Sequence, residues 1–282
     1  MPRAVDGTTW RRLEPEDTRT LTDLAERVAA GTGGLTGWVF RLRAEAVGGF
    51  AGDRLVAAVL VGGLADRVEG LVDPAYQGRG LGTALLDWAL ARAGTGAVVT
   101  SRALTPTARQ LFESRGLRQT AAQDWLRLAP DEPVTPARVP PGVTLAEWDG
   151  DDGYRAYAAA FADLPDRVAQ APWEESGTPQ EDWLDDLSEM DLDPACSPLA
   201  RDGDGTPVGF VASDGVVPIQ LGVVPAWRRR GLGRALLTAA LARSRAADDD
   251  RSVSVSADNR AAVELFQAVG FSRAGQEVYF GR

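Results

Sequence analysis

Two residue types that many enzymes need for their chemistry are missing from this chain. It has no histidine, and all 30 of its basic residues are arginine, so lysine is absent as well. A GxxxxGK[ST] phosphate loop and a pyridoxal enzyme need lysine, whereas a serine–histidine triad and an HExxH zinc site need histidine. The sequence therefore restricts catalysis to backbone amides, carboxylates, tyrosines, hydroxyl groups and water.

Cysteine and long apolar runs are also scarce. The single cysteine, Cys196, cannot form an intramolecular disulfide or a cysteine-based zinc site. No apolar run reaches the length of a membrane span, and the opening residues, MPRAVDGTTWRRLEPEDTR, lack the apolar core of a signal peptide. These absences predict a cytoplasmic protein with no bound metal and no membrane partner.

What the chain does contain is a repeated motif. The stretch QGRGLGTALL begins at Gln77, and RRRGLGRALL begins at Arg228, 151 residues later. The match extends back to Val72 in the first copy and to Val223 in the second. A chain of 282 residues with 44% hydrophobic residues suits two domains, so the motif indicates a duplicated module of roughly half the chain.

A proline-rich stretch, APDEPVTPARVPPGV, separates the two copies. Proline at this density blocks helix interiors and favours an extended conformation, which predicts a semi-rigid linker. We predict an N-terminal domain over residues 1–129, a linker over 130–142 and a C-terminal domain over 143–282. Strand and helix patterns alternate in the same way in both halves. Each half is therefore predicted to be a mixed α/β domain, with a mixed central sheet flanked by helices.

In each copy, a strand leads through a glycine turn directly into a helix. Glycine lets the backbone turn tightly and approach a ligand, and the first N–H groups of a helix have no partner within the helix. Such a turn binds anions, and pyrophosphate above all, at the positive end of the helix dipole. The second copy adds arginines at 228, 229, 230 and 234, whereas the first has only Arg79, which predicts a firmer phosphate grip in the second.

A plain strand-to-helix turn and a dinucleotide-binding turn are the alternatives. The dinucleotide fingerprint is G-x-G-x-x-G, with an acidic residue roughly 20 positions later. Here Gly80-x-Gly82 and Gly231-x-Gly233 have no third glycine, and hairpin patterns precede both turns. The spacing therefore favours an anion-binding turn of another kind.

These motifs resemble those of the GNAT superfamily of acyl-CoA-dependent N-acetyltransferases, in its tandem-domain form. The family signature Q/R-x-x-G-x-G/A fits Gln77-x-x-Gly80-x-Gly82 and Arg228-x-x-Gly231-x-Gly233. A second signature, N-x-x-A-x-x-[LF]-[YF]-x-x-x-G-F, is matched by Asn259, Ala262, Leu265, Phe266, Gly270 and Phe271. A degraded version in the first half consists of Thr105, Ala108, Leu111, Phe112, Gly116 and Leu117.

The resemblance implies that acetyl-CoA is the acyl donor and that a small-molecule amine is the acceptor. In the second half, it assigns donor binding to Leu221, Gly222, Val223, Arg228, Arg229, Arg230, Gly231, Leu232, Gly233, Arg234 and Asn259. In the first half, the equivalent residues are Leu71, Val72, Gln77, Gly78, Arg79, Gly80, Leu81, Gly82 and Thr83. Asn259 also fits a helix N-cap, a role that needs no ligand.

Both copies depart from the family where it often has a tyrosine that protonates the leaving thiolate. Phe112 and Phe266 occupy this position, and phenylalanine cannot donate a proton. Another hydroxyl, water or the departing ammonium must then supply the proton.

The family's base is commonly a carboxylate on the fourth strand, ahead of the glycine turn. The first half offers Asp66 and Glu69 there, but the second half has Val217 and Gln220 at the corresponding positions. For the second half we select Asp214, at the end of the preceding strand, and Tyr279, on the last strand, as catalytic residues. The other candidates there are Tyr154, Tyr157 and the terminal carboxylate of Arg282.

An acidic segment in the second half favours that half as the catalyst. Residues 147–193 contain 15 acidic residues and 2 arginines, in the part of the family's fold that covers the acceptor. Carboxylates there attract a cationic amine, although a solvated acidic helix that aids solubility is the alternative. Trp173 and Trp183 either stack on the cation or anchor the segment to the core.

The predicted function is transfer of an acetyl group from acetyl-CoA to the primary amine of a small cationic acceptor, catalysed in the C-terminal domain. Two alternatives stay open. One places catalysis in the N-terminal domain with Asp66 or Glu69 as base, and the other is a non-catalytic acyl-CoA sensor or scaffold. The net charge of −10 predicts that nucleic acid is not a partner.

Overall fold

The computed structural model describes residues 1–5, 7–32, 45–62, 67–94, 96–130, 132, 134–162, 178–244 and 251–282. The chain forms two compact units. The first comprises Met1–Gln123 together with Gly275–Arg282, and the second comprises Asp124–Ala274. The C-terminal residues thus belong to the same unit as the N-terminal half.

The first unit is a mixed sheet with helices on both faces. Its strands are β1 (Thr9–Arg12), β2 (Glu45–Ala51), β3 (Arg54–Val61), β4 (Arg67–Val72), β5 (Val98–Ser101), the start of β6 (Arg118–Leu128) and the end of β12 (Ser272–Gly281). Its helices are α1 (Thr18–Thr32), α2 (Leu81–Leu90) and α3 (Pro106–Glu113). β4 and β5 pair in parallel, whereas the pairs β1–β2, β2–β3, β3–β4 and β5–β12 are antiparallel.

Helices on both faces explain the composition of β3, which reads RLVAAVLV and is buried at every position after Arg54. On one face, Leu21 and Leu24 of α1 are fully buried. On the other face, Leu81 and Leu85 of α2 pack against the sheet. Each large apolar side chain buried in this way contributes about 1.5–3 kcal/mol to stability. The neighbouring strand β4 is therefore held on a rigid support.

The second unit has a four-stranded antiparallel sheet in the order β10-β9-β8-β7. Its elements are β7 (Val143–Ala146), α4 (Gly150–Phe161), α5 (Gln180–Glu189), β8 (Leu199–Asp202), β9 (Pro207–Ser213), β10 (Pro218–Val223), α6 (Leu232–Arg243), β11 (Arg251–Ser256) and α7 (Arg260–Gln267). Leu126 and Leu128 of β6 share a core with Val253 and Val255 of β11. The fourth and fifth strands of this repeat, β10 and β11, lie in different sheets.

These features confirm the predicted fold class, a mixed α/β architecture in two repeats. The predicted boundaries at residues 129 and 143 stay a prediction. Within the parts of the chain that the structure describes, no helix combines the length and apolarity needed to cross a membrane.

The end of the chain is an integral strand of the first unit. In β12, Val278 pairs with Ser101 and Tyr279 pairs with Thr100 of β5. Tyr279 and Phe280 are fully buried, and the Phe280 ring meets the Phe112 ring edge-on at 5.0 Å. The first unit therefore needs residues that follow the whole second half in sequence.

We expect removal of residues 275–282 to unfold the first unit. The deletion takes away three buried aliphatic or aromatic side chains, at 278, 279 and 280, worth together about 5 kcal/mol, which is comparable to the whole stability of a typical domain. Thermal unfolding followed by circular dichroism should show loss of one transition, whereas deletion of exposed Arg282 alone should leave both intact. Unchanged unfolding of the shorter chain would contradict this role of the strand.

Candidate active site

The fourth and fifth strands of the first unit run together and then part. β4 pairs with β5 over Arg67–Glu69 and Val98–Thr100. The next residues of β4, Gly70–Val72, continue along β3. Because backbone N–H and C=O groups must find partners, the edge of Gly70–Val72 that faces away from β3 suits an extended ligand.

A cavity of about 530 Å³ opens where these strands part. The sequence assigned nine residues of this half to donor binding, and eight of them line the cavity: Leu71, Val72, Gln77, Gly78, Gly80, Leu81, Gly82 and Thr83. The ninth, Arg79, is exposed and lies over the ring of Tyr76 at 4.6 Å. Strand β4, the glycine turn, β5 and α3 thus contribute to one concave surface.

The glycine turn of the first unit presents its backbone to this surface. Gly78 and Gly80 have φ values of 77° and 85°, in the left-handed region that favours glycine. A Cβ at Gly78 would meet no atom within 4 Å, and one at Gly80 would meet only Nη2 of Arg3, at 3.9 Å. Conformation rather than crowding therefore requires glycine here, and the turn remains open to an anion at the start of α2.

A buried carboxylate fixes the entry to this turn. Asp73 accepts a hydrogen bond from the N–H of Ala75 at 3.0 Å and from the guanidinium groups of Arg27 and Arg54, each at 2.9 Å. Burial raises the pKa of Asp73, but these hydrogen bonds outweigh it and hold the pKa below its ordinary value of 3.8. The ionised carboxylate thereby ties α1 and β3 to the turn.

The second unit has a similar turn with a different electrostatic setting. Gly231 has φ 86°, but Arg229 occupies the position of Gly78 and has φ 59°, a strained conformation for a residue with a side chain. Arg228 donates from Nε to the carbonyl of Val223 at 3.0 Å and from Nη2 to the carbonyl of Ala160. At least one of the predicted phosphate-binding arginines is thus engaged with the protein's own main chain.

Further along this turn, the other arginines have looser contacts. Arg229 lies 4.0 Å from the Glu264 carboxylate, and the Arg230 guanidinium lies 5.1 Å from the centre of the Trp227 ring. Arg229, Arg230 and Arg234 are exposed. Their exposure suits an anion in solution, and phosphate binding by them stays a prediction.

Aromatic side chains cover the fourth strand of the second unit. Trp183 is 2% exposed, and its Nε1 donates to Oε1 of Gln220 on β10 at 2.9 Å. The ring of Tyr157 lies 4.7 Å from that of Trp183. A Cβ at Gly222 would lie 2.5 Å from the Phe210 ring. Trp183 is therefore a buried anchor, and this face of β10 is closed by packed rings.

A polar cluster occupies the corresponding place in the first unit. Glu69, at the end of the paired part of β4, lies 3.9 Å from Nε of Arg102, and its Oε1 is buried with no hydrogen-bond partner among the described residues. Burial raises the pKa of Glu69, the positive charges of Arg102 and Arg67 counteract this, and Glu277 adds to the rise. Val68, Gly70, Thr100 and Arg102 around it line the cavity.

The two residues selected as catalytic lie in different units. In the second unit, Oδ1 of Asp214 accepts from the N–H groups of Val216 and Val217, both at 2.8 Å, and so shapes the turn before β10. Tyr279 lies in the first unit, where its hydroxyl is 2.8 Å from Glu277 and 3.0 Å from Gln123. Burial and the adjacent Glu277 raise the pKa of Tyr279 far above its usual range, so the phenol keeps its proton.

The remaining predicted residues have identifiable local roles. Asn259 accepts from the N–H of Ala262 at 3.1 Å and caps α7, as Thr105 caps α3 from the same distance. Phe266 is buried, with its ring 5.1 Å from that of Phe271. Asp66 and Trp173 lie outside the residues that the structure describes.

Sequence reasoning missed the residues around Glu69, although a signal for them was present. Polar side chains recur at every second position in three places: Arg67 and Glu69 in β4, Thr100 in β5 and Arg102 directly after it, and Glu277 and Tyr279 in β12. Because side chains two apart share a face, this pattern places them together only once β12 is known to lie beside β5.

Two family models match this chain. The model described as "Acetyltransferase (GNAT) family" matches residues 144–271, and the model described as "Acetyltransferase (GNAT) domain" matches residues 35–118. The chain belongs to the GNAT family of acetyltransferases and carries two such domains in tandem. It is an acyl-CoA-dependent N-acetyltransferase, and acetyl-CoA is its acyl donor.

Among curated proteins, it is similar to several named mycothiol acetyltransferases. The protein from Clavibacter sepedonicus is 36% identical over 244 residues, which cover 82% of this chain and 77% of the relative. The protein from Thermobispora bispora is 31% identical over 230 residues, which cover 76% and 75%. These identities extend across both halves of the chain.

Solved structures show the same fold. A GCN5-related N-acetyltransferase from Sphaerobacter thermophilus superposes with a TM-score of 0.79 at 23% identity, over 99% of this chain and 96% of that one. A tandem GNAT protein from the clavulanic acid biosynthesis pathway gives a TM-score of 0.62 at 18% identity, over 97% of both chains. At these identities, the likeness describes the fold alone.

The first unit has the features that acetyl-CoA requires. The open glycine turn at the start of α2 suits pyrophosphate, and the cavity beside Gly70–Val72 suits an extended, largely apolar arm. Within the described part of the chain, no three acidic, cysteine or histidine side chains are grouped so as to hold a metal ion.

Substitution of Asp73 by Asn should destabilise the first unit by about 3 kcal/mol at pH 7, because it leaves Arg27 and Arg54 without their buried counterion. The pKa of Asp73 is lowered on folding, so its contribution is present above the unfolded pKa and is lost as pH falls through the folded one. The difference between Asp73→Asn and the parent protein, measured by urea unfolding, should therefore shrink below pH 4.

Asp53→Asn is the matched control, because Asp53 is an exposed carboxylate in the turn between β2 and β3. It should change the unfolding free energy by less than about 0.5 kcal/mol. A pH-independent loss in Asp73→Asn would show that the carboxylate's charge is not what holds the turn.

Proposed function

We propose that acetyl transfer takes place in the first unit and that Glu69 is the base that deprotonates the acceptor amine. One observation carries this proposal: a carboxylate with a raised pKa lies where β4 and β5 part, next to the walls of the 530 Å³ cavity. A base works best when its pKa is close to the working pH, and burial moves Glu69 in that direction. Perturbed carboxylates of this kind are concentrated at catalytic sites.

The second unit supports the proposal by contrast. Its residue at the position of Glu69 is Gln220, which cannot take up a proton and already accepts a hydrogen bond from Trp183. Packed rings cover the same face of β10. Among the described residues on this face, an acceptor amine would meet neither a base at the position of Glu69 nor an open surface.

Acetyl-CoA supplies the activated acyl group. The backbone N–H groups of the glycine turn and of the first turn of α2 bind its pyrophosphate, and the main chain of Gly70–Val72 holds its arm along the open edge of β4. Backbone N–H groups on this edge stabilise the negative charge that develops on the acyl oxygen. Positioning of this kind accounts for much of the rate enhancement in acyl transfer.

Proton transfer is the task of the chain's own side chains. Glu69 takes the proton of the acceptor ammonium through one water, because its neighbours rather than its own carboxylate line the cavity. Phe112 cannot return a proton to the thiolate, so the proton comes from the amine nitrogen of the tetrahedral intermediate or from water, relayed by hydroxyls in the cavity wall. Thr83, Thr100 and Ser101 are in that wall.

The acceptor we propose is a small cationic amine. A carboxylate beside the cavity favours an ammonium group, which must lose its proton before it attacks. Because the relatives are named mycothiol acetyltransferases, an amine of the mycothiol type is the first acceptor to test. Catalysis in the second unit with Asp214 as base is the competing hypothesis, in which the acidic segment recruits the amine; Tyr279, the other residue selected from the sequence, belongs to the first unit.

Two glycines provide a matched test of which unit catalyses the reaction. Gly80 and Gly231 have nearly the same φ, 85° and 86°, and a Cβ has room at both, so glutamate strains the two turns equally while it places a carboxylate in each anion site. Gly80→Glu should lower kcat/KM for acetyl-CoA at least 100-fold, about 2.7 kcal/mol. Gly231→Glu should stay within about threefold of the parent protein.

Release of CoA is followed with a thiol reagent against a panel of amines, and melting curves confirm that both variants are folded. The opposite pattern, with loss only in Gly231→Glu, would place catalysis in the second unit. Acetyl-CoA binding without acceptor-dependent CoA release for any amine would favour a sensor.

A further inference from the structure

The C-terminal strand contributes a buried carboxylate to the first unit. Glu277 is 2% exposed. Its Oε1 accepts from the guanidinium of Arg67 and from Nε of Arg102, the latter at 3.2 Å. Its Oε2 accepts from the hydroxyl of Tyr279 at 2.8 Å. Glu277 thus accepts hydrogen bonds from donors on three different residues.

Glu69 lies in the same cluster but has far fewer contacts. Its nearest cation is Nε of Arg102, at 3.9 Å, the same atom that lies 3.2 Å from Glu277. A guanidinium that forms a close pair with one carboxylate has little left for a second, more distant one. The two glutamates therefore compete for the same cations, and Glu277 has the shorter contacts.

The groups that face Glu69 can be named for each neighbouring strand. Arg67 lies on β4 itself, Arg102 directly after β5, and Glu277 and Tyr279 on β12. Gln123 of β6 is uncharged and lies 3.0 Å from the Tyr279 hydroxyl. Among the described residues, the cluster contains two guanidinium groups and two carboxylates, so loss of the Glu277 carboxylate makes the net charge beside Glu69 more positive.

We propose that Glu277 is a positioning residue that holds Arg67 and Arg102 away from Glu69 and thereby keeps Glu69 available to take the acceptor's proton. This inference rests on the proposed function, because it concerns the same base. It assigns a role in the chemistry of the first unit to a residue that lies more than 200 positions along the chain from Glu69. Glu277 touches no substrate and acts through the two arginines.

The consequence for pH dependence has a definite sign. In Glu277→Gln, the freed guanidiniums approach Glu69 and favour its ionised form, so the acidic limb of kcat/KM should move to lower pH by at least about half a unit, a threefold change in proton affinity. In Arg102→Gln, Glu69 loses its nearest cation, and the limb should move to higher pH. A merely structural role for Glu277 would lower activity and melting temperature without moving the midpoint.

Two further variants complete the set. Glu277→Asp retains the charge and should restore most of the parent profile. Asp87→Asn removes an exposed carboxylate that pairs with Arg115 on the far part of α2, and it should leave the profile unchanged. Melting curves establish which variants are folded. If Glu277→Gln does not fold, the pH midpoints of Arg102→Gln and Glu277→Asp test the proposal instead.

A readout without turnover separates this inference from the proposed function. Protein labelled with carbon-13 at the glutamate carboxyl groups gives the Glu69 titration by NMR, assigned by the signal missing in Glu69→Gln. A midpoint lowered in Glu277→Gln and raised in Arg102→Gln supports the coupling even if Gly80→Glu shows that catalysis lies elsewhere. An unchanged Glu69 midpoint in folded Glu277→Gln, or shifts of both variants in the same direction, overturns it.

Discussion

The parallel pairing of β4 with β5 ends at Glu69 and Thr100, and the candidate site depends on that end point. Upstream of it, the two strands are neighbours in one sheet and hold Glu69 in a buried, polar setting. Downstream of it, Gly70–Val72 stay attached to β3 alone, and a cavity opens on the free edge. A base and a binding edge therefore lie within a few residues of each other, because a ladder of backbone hydrogen bonds stops at that point. The glycine turn follows directly, so that the start of α2 faces the same cavity.

The polar cluster beneath this opening carries a cost that a structural role alone does not explain. A buried carboxylate oxygen without a hydrogen bond is unfavourable by about 1–3 kcal/mol, and native proteins contain few such groups. Among the described residues, Oε1 of Glu69 has no hydrogen-bond donor, whereas Glu277, which lies near the same Arg102 guanidinium, accepts from three donors. A division of this kind between two acidic groups, one satisfied and one left reactive, is what acid–base chemistry needs.

The two repeats illustrate how the same fold supports different roles. Both keep a left-handed glycine before the helix and a capped helix further on. They differ on the fourth strand, where one has Glu69 beside an open cavity and the other has Gln220 beneath Trp183. Both units thus share one fold, and a few side chains at equivalent positions determine what chemistry each unit can perform.

Much of this was accessible from the sequence. The duplicated motif and its strand–turn–helix setting predicted the tandem mixed α/β fold, because local patterns of glycine and apolar spacing indicate those elements, and the resemblance of the motifs to the GNAT signatures added the acetyltransferase family. The sequence also indicated Glu69 as one possible base. It favoured the second half as the catalytic one because of its acidic residues and arginines, but a sequence pattern does not show where those side chains lie in the fold. The pairing of β12 with β5 was out of reach, since it joins residues about 180 apart and no local signal specifies it. Arg67, Arg102 and Glu277 were missed for that reason.

A comparison of two candidate bases tests the central claim most directly. Initial rates at pH 7 with a saturating amine are measured for Glu69→Gln and for Asp214→Asn, in which the amide oxygen can still accept from Val216 and Val217 and preserve the turn. The account predicts that Glu69→Gln loses at least 100-fold in kcat/KM, in the range expected for removal of a general base, while Asp214→Asn stays within about threefold of the parent protein. Full activity in Glu69→Gln together with a large loss in Asp214→Asn would contradict it.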